Sequence, residues 1–207
     1  MEDEIARMLI ESGCYINTHH NKDEVIKLPD GNIVLAYLSC RLAISDVKIR
    51  EKIEKELTNK VKKEFEEDIT VAGMATAGIS WAHSIAQRLQ LPMLYIRSSE
   101  KSYGLKGLIE GNIKYATNKV VAVDDILNTG STIYKAKEEL KKHNMDLVGV
   151  ACIATLKDRT ISDLEKENVK VIRLTDYRNI INMALKFNVL NDIEYDIMKK
   201  FYEEKRG

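Results

Sequence analysis

Proline and cysteine are scarce in this 207-residue chain: two prolines and three cysteines. With so few prolines, and no repeat or low-complexity tract, nothing marks a domain linker. Cys14, Cys40 and Cys152 are odd in number and widely spaced, with no Cys-x-x-Cys and no neighbouring His pair. That excludes a disulfide framework and a structural zinc site, and leaves three reduced thiols. Excess charge is missing too, because 32 Lys and Arg balance 32 Asp and Glu, so a nucleic-acid binder relying on a basic face is not expected. No apolar run approaches the roughly 20 residues of a membrane span. The start, Met1-Glu2-Asp3-Glu4, is acidic rather than signal-like, so a cytoplasmic protein without membrane or nucleic-acid partners is expected. His19 and His20 are adjacent and would point apart on a helix or a strand, which disfavours a chelating pair and leaves no metal site in the protein itself.

What the chain does have is 44% hydrophobic and 31% charged residues, and a length that suits one α/β domain spanning 1–207. Its most informative stretch runs from Val120 to Thr132. An apolar β-branched run, Val120-Val121-Ala122-Val123, enters Asp124-Asp125. Then comes Ile126-Leu127-Asn128-Thr129-Gly130-Ser131-Thr132, and helical spacing follows from Ile133 to Lys142. Such a run reads as a strand buried on both faces, and open α/β sheets bind ligands beyond the carboxyl ends of their strands. The hydroxyls of Thr129, Ser131 and Thr132, a tight turn at Gly130 and the free amides of the next helix together suit a phosphate. The two carboxylates suit ribose hydroxyls. An acid pair ending a strand also occurs as a metal-binding acid or a plain turn; the hydroxyl loop and helix behind it favour the sugar phosphate.

Around that stretch, Ile5, Met8 and Leu9 mark a short helix ending at Ser12-Gly13. Val25–Leu28 and Ile33–Leu38 flank Pro29-Asp30-Gly31-Asn32 as a hairpin. Ser45 or Asp46 caps a charged helix to about Glu67. Strand Ile69–Ala72, loop Gly73–Gly78, helix Ile79–Gln90 and strand Met93–Ile96 come next, then a polar loop from Arg97 to Asn112. After the Val120 strand and its helix come strand Leu147–Ala154, a helix near Ile161–Glu167, strand Val169–Leu174 and terminal helices. Strands alternating with helices predict a mainly parallel central sheet flanked by helices.

The loop Gly73-Met74-Ala75-Thr76-Ala77-Gly78-Ile79-Ser80 has the glycine spacing of a nucleotide-binding P-loop, but Ile79 stands at the lysine position. Without that ammonium, nucleoside-triphosphate hydrolysis is disfavoured. Amides at Ala75, Thr76, Ala77 and Gly78 can still meet a diphosphate; the alternative is close helix–strand packing through small residues.

The Val120–Thr132 stretch resembles the diphosphoribose-binding signature of type I phosphoribosyltransferases. Val71–Ile79, Leu91–Arg97 and Lys101–Asn112 resemble the central part of orotate phosphoribosyltransferases, and Leu156-Lys157-Asp158-Arg159 resembles that family's Asp-Arg segment. The resemblance covers the chain from about residue 37 onward. It implies a type I phosphoribosyltransferase fold whose N-terminal segment, 1–45, forms a small hood. It implies magnesium, held mainly through the diphosphate of phosphoribosyl diphosphate, and transfer of phosphoribose to orotate. By the same resemblance Asp124, Asp125, Lys101 and Arg97 act at the reacting centre. Ala75–Gly78 and Asn128–Thr132 join the acids in holding phosphoribosyl diphosphate, while Arg159, Asn128 and Tyr37 meet the base. The family also implies a homodimer in which loop 97–112 reaches the neighbouring active site.

Several positions depart from the family pattern. Ser98 stands where a second lysine is usual, Tyr103 replaces a histidine and Asn128 replaces a threonine. The N-terminal Gly-x-Lys/Arg-x-Ser-Pro segment is absent, and Pro29-Asp30-Gly31 and Tyr37–Arg41 fill that region. Transfer to another nucleobase, or a regulator that senses phosphoribosyl diphosphate without turnover, therefore stand as alternatives.

Overall fold

The computed structural model describes residues 1–17, 26–27, 33–65, 68–99 and 107–204. In chain order its elements begin with α1 (Glu2–Glu11), β1 (Tyr15–Asn17), β2 (Ile26–Lys27), β3 (Ile33–Val34), β4 (Ala36–Leu38) and α2 (Val47–Glu64). There follow β5 (Thr70–Met74), α3 (Gly78–Leu89), β6 (Met93–Ile96), β7 (Ile109–Glu110) and β8 (Lys119–Leu127). The last are α4 (Ser131–Lys141), β9 (Asp146–Thr155), α5 (Asp158–Lys166), β10 (Lys170–Asp176), α6 (Tyr177–Lys186) and α7 (Asp192–Glu204). No helix among the described residues is long and apolar enough to cross a membrane.

The chain divides into two compact units, Met1–Lys52 with Thr175–Gly207, and Ile53–Leu174. The first joins the N-terminal segment to the C-terminal helices. β2 and β3 form the expected hairpin with Ile26 opposite Val34; its tip, including Pro29 to Asn32, lies outside the described residues, as do His19 and His20. The run to Leu38 does not continue as one strand. It breaks at Leu35, and β4 pairs antiparallel with β1, Tyr15 opposite Leu38. Asp46 rather than Ser45 caps α2: its Oδ1 accepts from the amides of Lys48 at 2.9 Å and Ile49 at 3.4 Å. The Ser12 hydroxyl, donating to Oδ2 at 2.9 Å, leads in holding the Asp46 carboxyl below its usual range, and the two amide bonds assist.

The second unit carries most of a six-stranded sheet ordered β10-β9-β8-β5-β6-β7. β5 pairs parallel with both β6 and β8, and β8 parallel with β9. β5 is buried along its whole length, as a strand covered on both faces must be. Ala72, Leu94, Ile96, Val120, Ala122, Ile133, Leu140, Val150 and Leu164 form a contiguous core between strands and helices. Two expectations need correction. The polar loop from Arg97 to Asn112 contains a strand, β7, which adds antiparallel to the edge at β6 with Tyr95 opposite Glu110. β8 does not end at its acid pair; it runs on past Asp124 and Asp125 to Leu127, which pairs with Thr155.

Candidate active site

The order of strands locates the site. From β5 the chain passes through α3 to β6 on one side; the next long strand, β8, lies on the other side of β5. Helices therefore leave the carboxyl ends of two adjacent strands in opposite directions, the switch point where open α/β sheets accept ligands. Gly73 stands opposite Val123 in the register, so the residues that follow each are neighbours: the loop 75–77 and α3 on one side, Asp124 and Asp125 on the other. A hollow of about 230 Å³ lined by Val61, Phe65, Ile69 and Leu91 lies at the opposite, amino-terminal edge of the strands and takes no part.

Gly78 closes the crevice at its floor. A Cβ there would fall 1.9 Å from the Val123 carbonyl oxygen and 3.1 Å from Asp124 Cα, so only glycine lets the first turn of α3 rest on the end of β8. Packing is thus what Gly78 does in the fold, and it brings the start of α3 against the acid pair. Ala75 donates its amide to the Ile96 carbonyl at 2.8 Å, and the Ala75–Thr76 peptide is cis. Thr76 is exposed at the loop's crest, while Ala77 and Gly78 are buried.

Asp124 is half-buried and Asp125 is 8% exposed. Each carboxylate accepts from the next amide along: Asp124 Oδ1 from Asp125 at 2.9 Å, and Asp125 Oδ1 from Ile126 at 2.9 Å. Across the sheet, Asp124 stands opposite Cys152, whose thiol is pushed up to about 12 by burial first and by Asp124 second.

Beyond Leu127 the chain enters the hydroxyl-rich cradle expected to suit a phosphate. Asn128, Thr129, Ser131 and Thr132 are exposed. Gly130 takes φ 74° as the residue before α4, a conformation that favours glycine, and has no side chain of its own with which to cap that helix end. Thr129 Oγ1 donates to Ser131 Oγ at 3.3 Å and accepts from the Ser131 amide at 3.5 Å, so the hydroxyls gather at a helix end whose amides and dipole suit an anion. The cradle is tethered from α5 by Thr160, whose hydroxyl donates to the Asn128 carbonyl at 2.6 Å.

The remaining expected site residues divide as follows. Arg159 lies in the first turn of α5, which begins at Asp158 rather than near Ile161; it is one residue from the Thr160 tether, exposed, with its Nε 3.6 Å from Asp163 Oδ2. Arg97 ends the β6 edge. Its amide donates to the Leu108 carbonyl at 2.9 Å and its Nη1 to Glu110 Oε1 at 3.4 Å. Lys101 and Tyr103 lie outside the described residues. Tyr37 belongs to the first unit, on β4 opposite Ile16, 41% exposed.

Glu110, Glu139 and Thr160 enter the site's framework without having been expected. Of these Glu139 carried a signal, because in the spacing Ile133, Ala136, Leu140 it shares the apolar face of α4. It is 5% exposed, and its Oε2 accepts from Lys142 Nζ at 2.7 Å; that bond holds its carboxyl below the usual range against burial, with the Leu108 amide assisting.

Residues 32–188 match the family model of the phosphoribosyl transferase domain. An orotate phosphoribosyltransferase of Listeria innocua is 36% identical over 166 residues, covering 80% of this chain and 79% of that protein. Among solved structures, orotate phosphoribosyltransferase from Aeropyrum pernix superposes with a TM-score of 0.74 at 22% identity, over 90% of this chain and 99% of the other. Leishmania donovani UMP synthase gives a TM-score of 0.79 at 21% identity, over 98% of this chain and 42% of that one.

Proposed function

The chain belongs to the phosphoribosyl transferase family, and we propose that it transfers phosphoribose from phosphoribosyl diphosphate to orotate, giving orotidine monophosphate and diphosphate. The observation that carries the reading is the switch-point crevice itself. Its acids, its small-residue loop and its hydroxyl cradle stand on adjacent parallel strands, inside the region matched by the family model.

The 5′-phosphate is assigned to Thr129–Thr132 and the open end of α4, where amides and the helix dipole favour an anion. Asp124 and Asp125 take the ribose hydroxyls and favour the positive charge that grows on the sugar as the anomeric C–O bond breaks. The bonding pair leaves with diphosphate, and a ring nitrogen of the base forms the new C–N bond. Ala75–Gly78 meet the diphosphate, Arg97 and Lys101 offset its charge, and Arg159, Asn128 and Tyr37 meet the base. Donors in the crevice are carboxylates, hydroxyls and peptide groups, all hard oxygens that suit magnesium. Bound there, magnesium supplies charge neutralisation for the leaving group. A homodimer in which segment 97–112 serves the neighbouring site completes the reading, supported by the family resemblance of that segment.

The test is magnesium-dependent consumption of orotate by purified protein with phosphoribosyl diphosphate, with uracil, adenine, hypoxanthine and guanine in parallel. Orotate turnover is expected. Turnover of another base would replace the substrate, and binding of phosphoribosyl diphosphate without any turnover would sink the assignment as an enzyme.

A further inference from the structure

We propose that Glu139 is a positioning residue for the diphosphate end of the reaction, holding in place the strand edge that carries Arg97. Leu108 lies between the two. Its carbonyl accepts the Arg97 amide at 2.9 Å, and its own amide donates to Glu139 Oε1 at 3.3 Å. One residue further, β7 begins and carries Glu110, whose carboxylate meets the Arg97 guanidinium 3.4 Å away. The backbone of Arg97 is therefore referred to the residue that enters a two-residue strand, too short to hold its register by its own ladder, and its side chain to that strand's Glu110 as well as to the Ser99 carbonyl at 3.2 Å. Gly111, at φ 115°, follows that strand directly.

What fixes this weak edge is α4. Glu139 sits on its buried face, and the rigid helix that opens with the cradle of Thr129–Thr132 ends by gripping Leu108. Lys142 and His143 face the carboxylate from the turn that ends this helix, at 2.7 Å to Oε2 and 3.9 Å to Oε1. They keep it charged, and a charged acceptor makes the stronger hydrogen bond to an amide. One helix thereby sets the spacing between the 5′-phosphate and the cation assigned to the diphosphate at the other end of the same substrate. A buried carboxylate on an otherwise apolar helix face needs such a use, since burial alone penalises it.

The inference rests on the assignment of Arg97 to the diphosphate, and the experiment separates the two. Glu139→Ala removes the acceptor; Glu139→Gln keeps an oxygen for the Leu108 amide and forgoes only the charge. For Glu139→Ala we expect KM for phosphoribosyl diphosphate to rise about tenfold, the scale of a lost hydrogen bond to a charged acceptor, with KM for orotate unchanged. Glu139→Gln should restore most of the loss. In the background Arg97→Ala, the effect of Glu139→Ala on that KM should vanish, because the group being positioned is gone. Equal changes in both KM values, or a full tenfold effect without Arg97, would reduce Glu139 to a structural residue and overturn the proposal. If the wild-type protein turns over no orotate, the functional assignment fails by itself; the same variants are then read by calorimetric affinity for phosphoribosyl diphosphate, where an unchanged Glu139→Ala overturns the positioning role.

Discussion

Gly78→Ala tests whether close packing of α3 on β8 sets the geometry of the crevice. The added Cβ would lie 1.9 Å from the Val123 carbonyl oxygen, where ordinary contact begins at 3.4 Å, so the start of α3 must retreat by about 1.5 Å. The obstacle is backbone of a central strand, which cannot rotate aside, and overpacking of this kind costs up to about 3 kcal/mol. Helix propensity works the other way, since alanine gains about 1 kcal/mol over glycine. A net loss near 2 kcal/mol lowers Tm by about 4–8 °C in a chain of this size. Displacement of about 1 Å at reacting groups costs roughly 10²-fold in rate, so kcat/KM should fall by that order. Gly149→Ala is the control: its Cβ would meet the Phe65 ring tip at 2.2 Å, a side chain that can swing, on β9 outside the crevice. Thermal melts and orotate consumption measured on both variants decide it. A Gly78→Ala protein that is more stable than wild type, or that keeps full kcat/KM, would refute the packing argument.

Asp125→Asn should lower kcat about 10²–10³-fold with little change in Tm, because charge is removed beside the sugar at constant volume. Mixing it with Lys101→Ala should restore part of the activity if segment 97–112 serves the neighbouring subunit, and failure to do so would reject that exchange. Arg159→Ala should raise KM for orotate about tenfold or more while leaving that for phosphoribosyl diphosphate unchanged; an unaltered orotate KM would confine Arg159 to its exposed pairing with Asp163. Cys152 supplies a pH test: its thiol ionises near 9 when unfolded and at about 12 in the fold. It therefore contributes stability fully below about 9 and loses it as pH climbs toward 12, so Cys152→Ala should flatten the fall of Tm between those values. An equally steep fall would mean that other groups carry the alkaline loss.

The parts of the fold that were legible in the sequence are those whose signal is local. β5 and β8 are apolar runs of the right length, and α3 and α4 carry their own periodicity, so the alternation that makes a parallel sheet could be read directly. Asn128–Thr132 was legible for the same reason, since a hydroxyl-rich turn before a helix is written in consecutive residues. β7 was not: two residues have no periodicity, and Ile109-Glu110 becomes a strand only because the β6 edge offers unpaired groups. The division of the Ile33–Leu38 run likewise depends on β1, a partner some 20 residues away that takes Ala36–Leu38 for itself. The start of α5 at Asp158 is hidden because Asp158 and Arg159 lack the apolar spacing that reveals a helix.

Within the site, residue types were easier to read than the contacts that place them. Asp124 and Asp125 declare themselves as acids near a strand end, yet what brings loop 75–77 against them is an absent side chain at Gly78, whose meaning exists only once β8 lies beneath it. Glu139 shows the converse. Its position on an apolar helix face is visible, but its partner, the Leu108 amide, is 31 residues earlier and lies just before a strand too short to be foreseen. A phosphoribosyl diphosphate site has to hold two anionic ends of one substrate at a fixed separation, and local motifs can specify each end only by itself. The separation is a property of how α3 and α4 are seated on the sheet, so it is carried by contacts distant in sequence such as Gly78 on Val123 and Glu139 on Leu108.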